Sequence, residues 1–130
     1  MKNQMIKEFV NIFMANKDTL RAEFAKKHPS DYKELVTEVI KVISQAGPDP
    51  ERIQEIDYGN YQGTLIYIIA EPGYQPYHHW SVKVSYGSCS GCDTLQSIRE
   101  SSNYGEPPEE SEIEQYMILA LHIVQGLKEI

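Results

Sequence analysis

Cysteine and long apolar runs are both scarce in this chain of 130 residues, and each scarcity excludes a class of protein. The only two cysteines, Cys89 and Cys92, are too close together for a disulfide that would constrain much of the unfolded chain. No apolar run approaches the roughly 20 residues that a membrane-spanning helix needs. Lys7 and Glu8 interrupt any apolar segment of a signal peptide, so nothing marks export. We therefore expect a cytoplasmic protein whose cysteines are thiols or metal ligands.

Basic residues are also few, because 12 lysines and arginines face 19 acidic residues and the formal charge is −7. Proteins that bind nucleic acid usually present a basic face, so this balance argues against a nucleic-acid partner. An acidic surface suits a basic protein partner or an imitation of nucleic acid, or it simply keeps the molecules apart by repulsion. The length and the 41% hydrophobic content predict a single domain over residues 1–130.

Apolar residues in the first half repeat at three- and four-residue steps, which predicts three helices. Asp18 is expected to cap the second helix and Ser30 the third. Near the end, the capping patterns Asp93-Thr94-Leu95-Gln96 and Ser111-Glu112-Ile113-Glu114 predict a short helix and a long last helix that runs through Leu127.

The middle of the chain changes to strand-like patterns separated by glycine and proline. Strands are predicted over Arg52–Tyr58, Thr64–Ala70 and Trp80–Tyr86, with Thr64–Ala70 in the centre because it is apolar on both faces. Short connections favour antiparallel pairing. The predicted fold is therefore α+β, a three-stranded antiparallel β-meander packed with N-terminal and C-terminal helices.

The most distinctive chemistry lies where the third strand is expected to lead into a helix. Gly87 and Gly91 allow backbone conformations closed to other residues, and a helix start presents unpaired N–H groups. Such a junction is a recurrent ligand site, so we predict binding of an anion, a small molecule or a partner protein there. The alternative is a structural turn whose cysteines pack inside. The predicted binding residues are Tyr86, Gly87, Ser88, Cys89, Ser90, Gly91, Cys92 and Asp93, with Tyr77 and Trp80 from the neighbouring segment.

A structural zinc site is a second hypothesis, because Cys89 and Cys92 have a spacing that supplies two of the four ligands that zinc needs. The nearest nitrogen ligands in sequence are His78 and His79, but residues ten apart on one strand lie roughly 30 Å from each other. No other cofactor is indicated. Stoichiometric zinc that is lost when both cysteines are changed to serine would support this hypothesis.

A thiol redox protein is the third hypothesis, since a strand, a Cys-x-x-Cys pair and a helix follow one another in thioredoxin-like sites. No βαβ unit precedes the motif, and Asp93 adds negative charge beside Cys92 that disfavours a thiolate. The chain also lacks a Ser/His/Asp arrangement, a Walker loop and a His-Glu-x-x-His motif. We therefore expect a binding or regulatory protein rather than an enzyme.

A distinctive pattern runs through Asp57-Tyr58-Gly59-Asn60-Tyr61-Gln62-Gly63-Thr64-Leu65, then Tyr74-Gln75-Pro76, then Trp80 to Gln96 with its string Tyr86-Gly87-Ser88-Cys89-Ser90-Gly91-Cys92-Asp93. This pattern resembles that of a group of small uncharacterised proteins encoded by bacteriophages and prophages. The resemblance covers about the middle third of the chain and implies a phage or mobile-element origin and a role inside the host cell. It implies a host protein or a small molecule as the partner, and no catalytic residue.

Overall fold

The computed structural model describes residues 2–58, 63–86, 98 and 106–130. None of the helices in these residues is both long and apolar enough to cross a bilayer. The elements of the described chain are, in order, α1 (Lys2–Ala15), α2 (Lys17–Lys26), α3 (Tyr32–Ile43), a 3-10 turn (Ser44–Ala46), β1 (Ile53–Tyr58), β2 (Gly63–Ala70), β3 (His79–Tyr86), α4 (Glu110–Gln125) and β4 (Lys128–Glu129).

The strands form one antiparallel sheet in the order β1-β2-β3-β4, which confirms the α+β class. The predicted number of strands was wrong, because β4 adds a fourth strand beside β3. Glu129 pairs with Trp80 and Lys128 with Ser81. The last helix ends at Gln125 and does not continue through Leu127 as predicted. A strand of two residues has no periodicity of its own, so only its distant pairing partner defines it.

The core lies between the helices and one face of the sheet. Phe9 and Phe13 lie on the buried face of α1. The apolar stripe of α3 is buried throughout and consists of Tyr32, Leu35, Val36, Val39, Ile40 and Ile43. Tyr67 in β2 lies opposite Val82 in β3, and both point toward the helices. The alternation in β3 therefore has the buried face that its sequence predicts. Ile98, the one described residue between β3 and residue 106, is helical and belongs to the same core.

Two of the predicted helix caps were wrong by one or two residues. The N-cap of α2 is Asn16 rather than Asp18, and its side chain makes no capping hydrogen bond. The N-cap of α3 is Asp31, whose carboxylate accepts a hydrogen bond of 2.8 Å from the backbone nitrogen of Glu34. Ser30 instead donates its hydroxyl to the carboxylate of Glu34 at 2.5 Å. Adjacent polar residues can each cap the free backbone N–H groups of the first helical turn. Which of them becomes the N-cap depends on the direction in which the chain enters the helix.

A capping box does begin α4, but it involves Glu109 and Glu112 rather than Ser111 and Glu114. The backbone nitrogen of Glu109 donates to Oε1 of Glu112 at 2.7 Å, and the Glu109 side chain accepts from the backbone of Glu112. The side chain of Glu112 is buried at this position. The helix therefore begins two residues earlier than the sequence pattern indicates.

Arg21 joins α2 to the start of α4. Its guanidinium contacts Glu110 at 2.5 Å and also contacts Glu114, one turn further along α4. Hydrogen bonding to Glu114 raises the pKa of Arg21, so the guanidinium stays charged. The guanidinium thus links two helices that are far apart in sequence.

Candidate functional site

The connection between β2 and β3, residues 71–78, is a loop that is closed by its own first residue. The backbone nitrogen of Glu71 donates to the carbonyl oxygen of His78 at 3.1 Å. The Glu71 carboxylate reaches across the loop and accepts a hydrogen bond of 2.8 Å from the backbone nitrogen of Tyr77. Gly73 has a φ of 122°, a conformation that other residues rarely adopt. These contacts give the loop a defined shape.

Two tyrosines project from this loop into solvent. Tyr74 is 95% exposed and Tyr77 is 91% exposed. Other large apolar side chains that are exposed in the described chain are less so, with Ile130 at 66%. Exposed aromatic side chains of this size are typical of recognition surfaces, since they bring a large contact area with few rotatable bonds. We refer to residues 71–78 as the hairpin tip.

The hairpin tip is attached to the C-terminal strand through His78. Its Nδ1 lies 2.6 Å from Oε1 of Glu129, and its ring stacks on the indole of Trp80 with the ring centres 6.2 Å apart. The backbone nitrogen of Ile130 also donates to the carbonyl oxygen of His79 at 2.9 Å. The base of the hairpin tip is therefore held against β4, the edge strand of the sheet.

Trp80 is a core residue, although the sequence suggested it as part of the binding surface. It is 5% exposed, and its ring packs at a steep angle on Phe9 with the ring centres 6.0 Å apart. Gly47 approaches so closely that an added Cβ would lie 2.8 Å from Cη2 of Trp80. The indole Nε1 is buried without a hydrogen-bond partner in the described part of the chain. Of Tyr77 and Trp80, only Tyr77 is exposed to a partner.

The described residues do not bring Tyr77 and Tyr86 together. Tyr86 is the last residue of β3, whereas Tyr77 precedes its first residue, so the two lie at opposite ends of the strand. Six residue steps from Trp80 to Tyr86 correspond to about 20 Å. The rest of the predicted binding segment, residues 87–93, lies outside the described residues, and so do Cys89 and Cys92.

His78 and His79 point in different directions. The ring of His78 stacks on Trp80, which faces the helices, and consecutive strand residues alternate between the two faces of a sheet. His79 is therefore directed to the opposite face. No cluster of three or more metal-ligating side chains occurs in residues 2–58, 63–86, 98 and 106–130. The zinc and redox hypotheses depend on the two cysteines and stay predictions.

A cavity of about 310 Å³ opens between α2 and α3. Its carboxylates are compensated, because Glu23 pairs with Lys26 and Glu38 pairs with Lys41, each at 3.1 Å. The side chains in this cavity converge on no catalytic or metal-binding arrangement. The lining residues are Asn16, Thr19, Leu20, Glu23, Glu38, Lys41, Val42, Ser44 and Gln45.

Sequence reasoning missed the two carboxylates that shape the hairpin tip. Glu71 has the sequence signal of an ordinary loop residue. Its position directly before Pro72 and Gly73 is the one feature that indicates a role in the turn. Glu129 carries no local signal, because its contact with His78 depends on the pairing of β4 with β3. Both residues act through contacts that the fold alone creates.

No protein-family model matches the chain, and neither a curated protein nor a solved structure matches it. The proposed function therefore depends on the geometry described above.

Proposed function

We propose that this is a binding protein that recognises a partner protein through the hairpin tip. The observation that carries the proposal is the almost complete exposure of Tyr74 and Tyr77, at 95% and 91%. Large aromatic side chains exposed to water are unfavourable, and tyrosine is enriched at protein interfaces. Following the phage resemblance, the partner is a host protein.

The fixed shape of the loop supports this proposal. Glu71 holds the backbone at Tyr77, and the contact between His78 and Glu129 holds the base of the loop against β4. A recognition loop that is ordered before binding loses less conformational entropy when its partner arrives. The tyrosine side chains take no part in either contact, so their rings are free to meet a partner.

Comparison of affinity captures from host cells tests the proposal. The double variant Tyr74→Ala/Tyr77→Ala is compared with the unchanged protein and with Met14→Ala/Ile118→Ala, which removes two exposed apolar side chains from helices. We expect partner proteins to be retained by the unchanged protein and the helix variant, and to fall about tenfold with the tyrosine variant. Circular dichroism checks that all three are folded.

A photo-crosslinking amino acid gives a second readout. Placed at position 77, it should crosslink to the same partner that the tyrosine variant loses, and placed at Ile118 it should not. An identical set of captured proteins from all three variants would show that the hairpin tip is not the binding surface.

The segment from Tyr86 to Asp93 remains a second proposed contact. Gly91→Ala and Asp93→Ala are to be tested in the same captures. Loss of the partner without loss of folding would add this segment to the binding surface. A change in stability alone would support the structural-turn hypothesis for Cys89 and Cys92.

A further inference from the structure

We infer that the partner presents arginine side chains to the hairpin tip; this inference depends on the proposed function. The first observation is the presence of two exposed aromatic rings, Tyr74 and Tyr77, three residues apart on one loop whose backbone Glu71 holds. A planar guanidinium stacks on the face of a tyrosine ring, where it meets the negative side of the ring quadrupole. Two exposed rings on one loop offer two such faces to a partner that carries more than one arginine.

The second observation is the charge around these rings. The hairpin tip contains Glu71 and no lysine or arginine, and the ring of its histidine, His78, contacts the carboxylate of Glu129. The whole chain has a formal charge of −7. A cationic partner is therefore attracted at long range and meets no fixed cation at the tip.

The same charges disfavour the other occupants. A nucleic acid would bring phosphates to an acidic protein, and the described tip offers no lysine or arginine to neutralise them. A second copy of this chain would bring another seven negative charges. Lysine is a weaker fit than arginine, because its compact ammonium keeps its water and cannot stack as a plane.

Titration with labelled oligo-arginine and oligo-lysine peptides of equal length tests the inference at about 0.15 M salt. Four proteins are compared: the unchanged chain, Tyr74→Ala/Tyr77→Ala, Tyr74→Phe/Tyr77→Phe, and Glu23→Gln/Glu38→Gln as a control that removes acidic charge from the α2–α3 cavity. We expect tighter binding of oligo-arginine than of oligo-lysine. The alanine variant should bind oligo-arginine about 5–20-fold more weakly, whereas the phenylalanine and glutamine variants should change it less than about threefold.

Two results would overturn the inference. One is equal weakening by the alanine and glutamine variants, which would mean that net charge alone attracts the peptide. The other is no preference between the two peptides. If either occurs while the tyrosine variant still loses its captured partner, the arginine inference fails and the proposed function stands. If the captures also show no dependence on the tyrosines, both fail.

Discussion

The phenolic oxygen of Tyr67 donates a hydrogen bond of 2.7 Å to Oε2 of Glu55, its partner in register on β1. The two ends of this bond have opposite environments, because Tyr67 is fully buried and Glu55 is exposed. A buried donor that loses its acceptor cannot form a hydrogen bond to water instead, whereas an exposed carboxylate that loses its donor can.

This difference predicts an asymmetric response to mutation. Glu55→Met keeps the hydroxyl of Tyr67 covered and removes its acceptor, and should lower the free energy of unfolding by about 1–3 kcal/mol. Tyr67→Phe should lower it by only about 0.5–1.5 kcal/mol. Adding Tyr67→Phe to Glu55→Met should restore stability. Urea unfolding measures all three, with Gln54→Met as a control on the other face of β1. A double variant less stable than Glu55→Met would contradict the prediction.

Alkaline pH should weaken the fold through the same residue. Burial and the neighbouring carboxylate of Glu55 raise the pKa of Tyr67 above its ordinary value of 10.0. The unfolded chain therefore loses this proton first, so the stabilisation is complete below about pH 10 and is lost as the pH rises above it. Unfolding free energies measured between about pH 8 and pH 11 should fall by up to about 1.4 kcal/mol per pH unit from this group. Tyr67→Phe should flatten the slope, and parallel curves for the two proteins would count against this account.

Gly47 and Gly73 require glycine for different reasons, one for backbone conformation and space, the other for backbone conformation alone. Both have positive φ, at 132° and 122°, but a Cβ on Gly47 would meet Trp80 at 2.8 Å and a Cβ on Gly73 would meet nothing within 4 Å. We expect Gly73→Ala to cost about 1 kcal/mol from the backbone alone. Gly47→Ala should cost about 2–4 kcal/mol, because the indole must also shift within the core. Thermal and urea unfolding of both variants measure the difference. Equal losses of unfolding free energy would mean that the Trp80 indole can shift without destabilising the core.

Arg21 should make stability sensitive to salt. Arg21→Ala removes the contacts that join α2 to Glu110 and Glu114 of α4, and should lower the free energy of unfolding. Arg21→Lys should restore only part of that free energy, because a single ammonium group cannot contact both carboxylates as the planar guanidinium does. Both effects should shrink between about 0.02 M and 0.5 M salt, since the groups are reached by solvent ions. Lys41→Ala, which removes an ion pair inside one helix, is the control. A loss independent of salt would assign the effect of Arg21 to packing.

The elements with strong local periodicity could be predicted from the sequence. The apolar stripe of α3 repeats without interruption from Tyr32 to Ile43, and all six of its members are buried. The alternation from Trp80 to Val84 likewise predicts β3 and its buried face. In both cases the information lies within one turn or one strand, where neighbouring residues decide the structure.

The features that depend on distant contacts could not be predicted. β4 exists because Lys128 and Glu129 pair with the start of β3, and nothing in the last residues of the chain indicates this. The separation of Tyr77 from Trp80 is an intermediate case. Both are aromatic residues near the start of β3, but the strand alternation places Trp80 on the core side, whereas Tyr77 precedes the strand and is exposed.

The closure of residues 71–78 by Glu71 has a consequence for how this molecule can change over time. The backbone pairing of Glu71 with His78 and the carboxylate contact to Tyr77 nitrogen use no atom of the Tyr74 or Tyr77 side chains. Those two positions can therefore exchange one side chain for another at little cost to folding. Single substitutions at these two positions can therefore change binding specificity during evolution while the rest of the fold stays the same.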